Sequence, residues 1–369
     1  ALAEFVDNSL QAMHNVHPPG ADETNGQGST ATRLIEIKVF FDEHSIVIAD
    51  NGEGMDQQKL KEYATFALGQ DMRGTAGKEF ISKFGVGAKQ AGFYIGDRIA
   101  IKTRKRNEPI LEFVIDERRL EQRSQEKGAV FRDSIVVRGE PDREAAPAEG
   151  LSSMEEYITR HQRENSHFTV IILRMRPHIE TSMRRSPDIT VSLSKDLADI
   201  YHFHLHPNDL PNALVRSERF HDLYVGVTGS KGNKKKRSSS GTVKETTALT
   251  SEFTHPTHYQ SAAMTGAVAN LSLVEGVLFY YPTKAGKYTK PNTQTDENIK
   301  PDMIDIYWQD RLVPETKLTM LPFMPECKTP LQCEKNLVPV DWRDRLHGFL
   351  FFGWDFRHIS NNKLKFQVD

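Results

Sequence analysis

The sequence is poor in cysteine, in long apolar runs and in excess charge, and each shortage excludes a class of protein. Only two cysteines, Cys327 and Cys333, occur among 369 residues, too few for a disulfide framework. No apolar run approaches the roughly 20 residues that a membrane-spanning helix requires. Lysine and arginine number 48 against 50 aspartates and glutamates, so the net charge of −2 gives no overall attraction to nucleic acid or to a membrane surface. Such binding would need a local patch.

Two common signatures of nucleotide-hydrolysing enzymes are also missing. The sequence has no Gly-x-x-x-x-Gly-Lys-Ser/Thr segment, which excludes a P-loop enzyme, and no His-Arg-Asp or Asp-Phe-Gly set of the protein-kinase type. The chain begins Ala-Leu-Ala-Glu without a methionine, so we expect it to be part of a longer protein. With 369 residues, of which 38% are hydrophobic, it is long enough for two globular domains.

The pattern of residues 1–185 predicts helices mixed with β-hairpins, an α+β fold. Apolar residues at helical spacing predict an amphipathic helix over Leu2–Met13. Alternating and then continuous apolar residues predict a β-hairpin over Ile35–Ala49. The charged stretch Arg138–Ser153 is expected to be a mobile connection. Further helices are predicted over Asp56–Ala67, with Asp56 as its cap, and Val86–Tyr94, and further strands over Arg98–Thr103, Glu112–Ile115 and Phe168–Leu173.

The pattern restarts near Ser186, and residues 186–369 are predicted to form a second α/β unit. A helix is predicted from Leu193 toward His206. A basic, serine-rich stretch within residues 229–248 lacks apolar residues and is predicted to be an exposed, disordered loop. Strands are predicted over Tyr224–Thr228, Val274–Tyr281 and Ile304–Trp308.

Glu4 and Asn8 lie one turn apart on the predicted first helix. Four residues along a helix bring a side chain to within about 40° of the same direction, so a carboxylate and a carboxamide can face one ligand. An amide oxygen suits Mg²⁺, which takes few protein ligands and keeps several waters, while the carboxylate is free to deprotonate an attacking water. A helix with one polar face is more often simply solvated, so this pair alone decides little.

A second motif, Asp-Asn-Gly-Glu-Gly-Met over Asp50–Met55, follows the second predicted strand. An aspartate at the end of a buried strand is costly unless its carboxylate is used, and Asp50 can accept a hydrogen bond from the exocyclic amine of adenine. The two glycines allow the backbone to pass close to a ring or a phosphate. The competing interpretation is an ordinary turn, because Asp-Asn-Gly is strong turn chemistry.

A third motif, Phe-Gly-Val-Gly-Ala-Lys-Gln over Phe84–Gln90, opens the next predicted helix. Glycines at a helix start leave backbone N–H groups and the positive helix end open to an anion, and Lys89 adds a cation in the first turn. The preceding polar segment, Leu68–Lys83, contains three glycines and is the predicted lid over a nucleotide. A lone Gly-x-Gly is common and is more often a plain loop.

The order of the three motifs is more specific than any one of them. A helix with Glu and Asn one turn apart, then Asp-x-Gly-x-Gly after a hairpin, then a glycine loop that opens a helix, resembles the gyrase, heat-shock chaperone, histidine kinase and MutL (GHKL) ATPase superfamily. Ala3–Ser9, Phe84–Ala91 and Ile306–Pro314 are similar to a chromosome-maintenance branch whose members carry a flexible hinge domain, with the Microrchidia ATPases as the next relatives. The resemblance implies a GHKL (Bergerat) α/β sandwich over residues 1–185, followed by an α/β transducer-like domain over residues 186–369.

The same resemblance implies a role for each matching residue. Glu4 corresponds to the water-activating carboxylate and Asn8 to the magnesium ligand. Asp50 corresponds to the adenine-reading aspartate, and Thr169 to the threonine that helps to hold this aspartate and adenine through water. Ala88 stands where the relatives have a glycine, but its amide remains available to phosphate. The other implied nucleotide-binding residues are Gly52, Gly54, Met55, Gly85, Val86, Gly87 and Lys89.

In the second domain, the resemblance implies a lysine that reaches the γ-phosphate. The first candidates are Lys328 and Lys335, followed by Lys284 or Lys287. The implied function is Mg²⁺-dependent binding and slow hydrolysis of ATP that drives homodimerisation, in a nuclear protein that organises chromatin or silences genes. Contact with chromatin or nucleic acid is expected through regions outside this chain, and no membrane contact is expected. The alternative is a dimerisation module that nucleotide gates with little or no turnover.

Three further features are interpreted as structural. The run His202, His204 and His206 would need a strand to line up as metal ligands, but its segment reads as the end of a helix. The two cysteines lack a third cysteine or a nearby histidine at zinc spacing. The run Lys231–Arg237 has the composition of a phosphate-contacting or nuclear-import segment, yet most such runs are solvated loops.

Overall fold

Helices and strands alternate irregularly along the chain, and the predicted α+β class is confirmed. The structure is a computed structural model that describes residues 1–16, 33–64, 87–125, 135–138, 150–186, 189–205, 223–230, 247–248, 274–280, 304–314 and 346–352. Its helices are α1 (Ala3–Val16), α2 (Gln57–Ala64), α3 (Gly87–Ile95), α4 (Glu117–Gln125), α5 (Ser153–Glu164), α6 (Pro177–Arg185), α7 (Ile189–Ile200) and α8 (His202–Leu205). Its strands are β1 (Arg33–Phe40), β2 (Ser45–Asp50), β3 (Gly96–Arg104), β4 (Ile110–Asp116), β5 (Val136–Arg138), β6 (Phe168–Met175), β7 (Leu223–Ser230), β8 (Thr247–Ala248), β9 (Val274–Tyr280), β10 (Ile304–Trp308), β11 (Arg311–Leu312) and β12 (Leu346–Phe352).

The larger sheet has the order β5-β4-β3-β6-β2-β1-β7-β8. Its pairs are antiparallel except β1 with β7, which run parallel. β2 is buried along its whole length, as its continuous apolar sequence requires, whereas buried and half-buried positions alternate along most of β1. The sheet therefore places Asp50, the last residue of β2, between β1 and β6, where it is buried.

Helices α1 and α3 carry the first and third motifs and contact one another. The apolar stripe of α1, including Phe5, Leu10 and Met13, is fully buried. α3 lies so close to β3 that a Cβ atom built on Gly92 would stand 2.5 Å from Cδ1 of Ile99. This tight packing fixes the start of α3 beside α1.

The predicted elements of the first half are present with small shifts at their ends. Asp56 caps α2 as predicted, because its Oδ1 accepts a 2.8 Å hydrogen bond from the backbone N–H of Lys59. Residues 65–67 of the predicted α2 and the predicted lid, Leu68–Lys83, lie outside the described residues.

Helix α5 was not predicted, and it corrects the expectation of a mobile connection that extends to Ser153. Ser152 and Glu155 form a capping box: the Ser152 hydroxyl accepts from the Glu155 N–H at 3.3 Å, and the Glu155 carboxylate accepts from the Ser152 N–H at 3.0 Å. Tyr157 and Ile158 on this helix pack into the core cluster that covers one face of the sheet. The cluster comprises Phe40, Val47, Ala49, Ile110, Tyr157, Ile158, Phe168 and Val170.

The chain divides into two compact units, the first comprising Ala1–Ser194 and Asp222–Leu249 and the second Lys195–His221 and Thr250–Asp369. The sequence predicts a single boundary after residue 185, with β7 in the second unit. Instead β7 pairs with β1 over eight positions, from Arg33 with Leu223 to Phe40 with Ser230. β7 and β8 also occupy both ends of the predicted disordered loop, residues 229–248, while residues 231–246 lie outside the described part.

The second unit contains a sheet of order β11-β10-β12-β9. Phe203 of α8 meets Tyr307, Phe349 and Phe351 edge-on, with ring centroids 4.8 to 5.5 Å apart. His202 and His204 belong to α8 rather than to a strand, and His206 is outside the described residues. Cys327, Cys333 and the run Lys231–Arg237 are outside them as well. None of the described helices has the length and apolar character needed to cross a membrane.

The capping box generates a test of how much α5 depends on its first turn. Ser152→Ala removes the side-chain acceptor for the Glu155 N–H and should lower the free energy of unfolding by about 1 kcal/mol. Chemical denaturation measures the change. Ser182→Ala, an exposed serine inside α6, is the matched control and should have little effect. Equal losses in the two variants would contradict the role of the box.

Candidate functional site

The Asp50 carboxylate lies at the centre of the candidate site. Its Oδ2 accepts a 2.7 Å hydrogen bond from the Ser9 hydroxyl of α1, and its Oδ1 accepts a 2.9 Å bond from the Gly52 N–H. Its backbone carbonyl accepts a hydrogen bond from Nε2 of His161 on α5 at 3.2 Å. Burial raises the pKa of Asp50 to about 6, although the hydrogen bonds from Ser9, Gly52 and the Thr169 backbone act in the opposite direction.

Two threonines lie at the same level of the sheet as Asp50, on the next two strands. Thr169 is the partner of Asp50 in the pairing of β2 with β6, and its Oγ1 lies 3.3 Å from Oγ1 of Thr103 on β3. The Thr103 hydroxyl donates to the carbonyl of Phe168 at 3.0 Å and accepts from the Met55 N–H at 2.8 Å. Thr103 therefore anchors the end of the glycine turn to the middle of the sheet.

Both glycines of the second motif lie where a side chain would collide. A Cβ atom on Gly52 would stand 2.6 Å from Cβ of Ala12, so the turn runs directly against α1. Gly54 has φ +69°, in the left-handed region, and faces the carbonyl of Arg104 at a separation that leaves no room for a Cβ. The requirement for glycine at these two positions is thus steric.

The start of α3 approaches α1 at Glu4. A Cβ atom on Gly87 would collide with Oε2 of Glu4, so the first and third motifs touch at this point. Glu4, Ala88 and Lys89 are buried, with exposed fractions of 8%, 8% and 4%. Asn8, one turn along α1 from Glu4, is half-buried. The first N–H groups of a helix lie outside its internal hydrogen-bond pattern, and here the helix start adjoins the Glu4 carboxylate.

Polar residues at the edge of the site link the glycine turn to its neighbours. Glu53 Oε1 accepts hydrogen bonds from Nδ2 of Asn15 and from Nζ of Lys59, each at 2.6 Å. Nδ1 of His167 donates to the Gly52 carbonyl at 2.8 Å. These contacts connect the end of α1, the glycine turn and the start of α2.

The structure brings together most of the predicted site residues and leaves four undescribed. Gly85, Val86, Lys328 and Lys335 lie outside the described residues, as do the second-choice lysines, Lys284 and Lys287. The structure places the following predicted residues around one another: Glu4, Asn8, Asp50, Gly52, Gly54, Met55, Gly87, Ala88, Lys89 and Thr169.

Sequence reasoning missed the residues that hold Asp50 and the glycine turn in place. Ser9 has a readable signal, since it directly follows Asn8 on a helix whose other polar residues are functional candidates. His161 belongs to α5. The capping box at Ser152 is the sequence signal for this helix, and it was not recognised. Thr103 gives no local signal, because its role arises only when β3 pairs with β6.

The described residues contain no group of three or more histidines, cysteines, aspartates or glutamates that could hold a metal ion on their own. Asn8 provides one oxygen ligand. This sparse donor set fits Mg²⁺ only where phosphate oxygens and waters complete its shell, since magnesium usually takes one or two protein ligands.

Comparison with known proteins gives two matches along the chain. Residues 1–129 match the family described as histidine kinase-, DNA gyrase B-, and HSP90-like ATPase. Residues 245–369 match the family described as SMCHD1, ribosomal S5 domain 2-like domain.

Full-length comparison finds the structural maintenance of chromosomes flexible hinge domain-containing protein 1 of Homo sapiens, 23% identical over 410 aligned residues, and that of Mus musculus, 24% identical over 410. Each alignment covers 99% of this chain but only 19% of the relative, so the chain spans about a fifth of the length of these relatives. The comparisons thus show that residues 1–129 are similar to histidine kinase-, DNA gyrase B- and HSP90-like ATPase domains, and that residues 245–369 are similar to an S5 domain 2-like domain.

Proposed function

We propose that this chain binds Mg-ATP, hydrolyses it slowly and uses the bound nucleotide to join two copies of itself. The observation that carries the proposal is the contact of three separate motifs around one site. Ser9 and Gly52 hold the Asp50 carboxylate, and Glu4 touches the start of α3. An ATPase-family domain over the same residues supports a nucleotide as the ligand.

The orientation of the nucleotide follows from the chemistry of the two ends of the site. Asp50 is an acceptor without a competing cation among its hydrogen-bond partners, which suits the exocyclic amine of adenine and disfavours the carbonyl of guanine. The start of α3 offers backbone N–H groups and Lys89, which suit phosphate. Adenine therefore lies at Asp50 and the phosphates at Gly87 and Lys89.

The hydrolytic step needs a base near the γ-phosphate. Glu4 adjoins Gly87 at the phosphate end and acts as the group that orients and deprotonates the attacking water. Asn8 holds the magnesium ion that accompanies ATP, and the ion when bound neutralises phosphate charge. A lysine of the second domain, Lys328 or Lys335, completes the charge stabilisation at the γ-phosphate.

The wider role rests on the relatives. Their names describe structural maintenance of chromosomes, and we extend this to a nuclear protein that organises chromatin or silences genes. Chromatin contact would come from regions of a longer protein. The alternative function is a dimerisation module in which ATP binding shifts the population to a closed dimer and turnover contributes little.

Nucleotide choice tests the adenine end of the site. Asp50→Ala removes the acceptor for the adenine amine, so it should weaken ATP binding about 10- to 100-fold and abolish the preference for ATP over GTP. Isothermal titration calorimetry with both nucleotides measures this. Asp97→Ala is the matched control: Asp97 accepts from Arg174 at 2.6 Å and should affect stability but not the preference. A preference retained in Asp50→Ala would refute the assignment.

The pKa of Asp50 predicts a pH dependence with opposite signs for folding and binding. The pKa of Asp50 rises from its ordinary value of 3.8 to about 6 in the fold, so the folded chain holds this proton more tightly than the unfolded chain. The free energy of unfolding should therefore fall as the pH rises from 3.8 through about 6. ATP requires the ionised carboxylate and should bind about tenfold more weakly at about pH 5 than at about pH 7.5.

Calorimetric titration of the wild type against Asp50→Asn isolates this effect. Both proteins share the titration of the nucleotide, but only the wild type has the carboxyl group. We expect a smaller change in affinity with pH in Asp50→Asn. Identical pH profiles would show that Asp50 does not contact the ligand.

Turnover separates the two candidate functions. Glu4→Gln preserves the volume of the side chain but removes the base, so phosphate release should fall at least roughly 100-fold while ATP still drives dimerisation in sedimentation velocity. Glu121→Gln on the exposed face of α4 is the control and should match the wild type. Unchanged phosphate release in Glu4→Gln would exclude Glu4 as the base, and a wild type that dimerises without releasing phosphate would favour the alternative.

A further inference from the structure

Tyr63, in the last turn of α2, faces the phosphate end of the site. Nζ of Lys89 lies over the Tyr63 ring, 5.4 Å from its centroid. At this distance the ammonium interacts favourably with the face of the ring. The two residues come from separate elements, since α2 follows the Asp50–Met55 turn and α3 begins at Gly87. The ring therefore helps to position the Lys89 ammonium.

The hydroxyl of Tyr63 is buried and has no hydrogen-bond partner within the described part of the chain. A buried hydroxyl without a hydrogen-bond partner destabilises a fold, so its presence here needs an explanation. Burial also raises the pKa of the Tyr63 phenol well above its usual range, which keeps the hydroxyl protonated and able to donate at neutral pH.

We propose that Tyr63 is a phosphate ligand, whose hydroxyl donates a hydrogen bond to an oxygen of the bound nucleoside triphosphate while its ring positions Lys89 beside the same group. This inference rests on the proposed function, because it deepens the phosphate end of that site. An anionic oxygen is the acceptor that satisfies both observations at once: it pairs with a buried donor and with the ammonium that lies over the ring.

Substitution of the hydroxyl alone separates a ligand contact from a structural role. Tyr63→Phe keeps the ring over Lys89 and deletes the buried donor. We expect about 10- to 100-fold weaker binding of Mg-ATP by calorimetry, with unchanged binding of adenosine, which has no phosphate. The same variant without ligand should melt about 2 to 4 °C higher than the wild type, because an unsatisfied buried group has been removed.

Tyr157→Phe is the matched control. Its hydroxyl donates to Oε2 of Glu36 at 2.9 Å, so this variant loses a satisfied hydrogen bond. It should melt at a lower temperature than the wild type and bind ATP with unchanged affinity. The two variants should therefore shift the melting temperature in opposite directions, and only Tyr63→Phe should weaken ATP binding.

Each remaining outcome has a definite meaning. Wild-type affinity for ATP in Tyr63→Phe would overturn the phosphate contact and leave the proposed function intact. Equal weakening of adenosine and ATP would also overturn it, because the hydroxyl would then act through the adenine end or the fold. A wild type that binds no ATP would overturn the proposed function first and the Tyr63 contact with it.

Discussion

The site depends on one buried carboxylate. Asp50 ends a strand that is buried along its length, and water cannot solvate its charge. The carboxylate is acceptable there because α1, the glycine turn and β6 each supply a hydrogen bond to it. These same donors join a helix, a turn and the middle of the sheet, so the Asp50 carboxylate also aligns these three elements with one another.

Close approach at two glycines fixes the position of the glycine turn. The turn meets Cβ and the backbone of Ala12 in α1 at Gly52, and the carbonyl of Arg104 at Gly54, whereas Gly87 of α3 meets only the Glu4 side chain. Side chains can change rotamer to absorb a small displacement, whereas backbone in contact cannot. Gly52 and Gly54 therefore define distances between segments that are far apart in the chain.

Short sequence patterns predicted most helices and strands of the first half, whereas contacts between residues far apart in the chain could not be predicted. The continuous apolar run before Asp50 identified a buried strand, and Asp56 identified the start of α2, because each signal lies within a few residues. The capping box at Ser152 was equally local and was overlooked amid charged residues. Membership of β7 in the first sheet was beyond prediction, because it depends on a partner strand far earlier in the chain. The contact of Lys89 with Tyr63 likewise appears only when α2 and α3 are brought together.

The order of strands in the larger sheet has a consequence for how this protein is made. β6 lies between the β1–β2 and β3–β4 hairpins, yet it is synthesised after both. A nascent chain emerging from the ribosome therefore carries two finished hairpins whose inner edges, on β2 and β3, have exposed backbone groups until β6 arrives. β6 also carries Thr169, so the strand that joins the two hairpins places this threonine beside Asp50 in the same event.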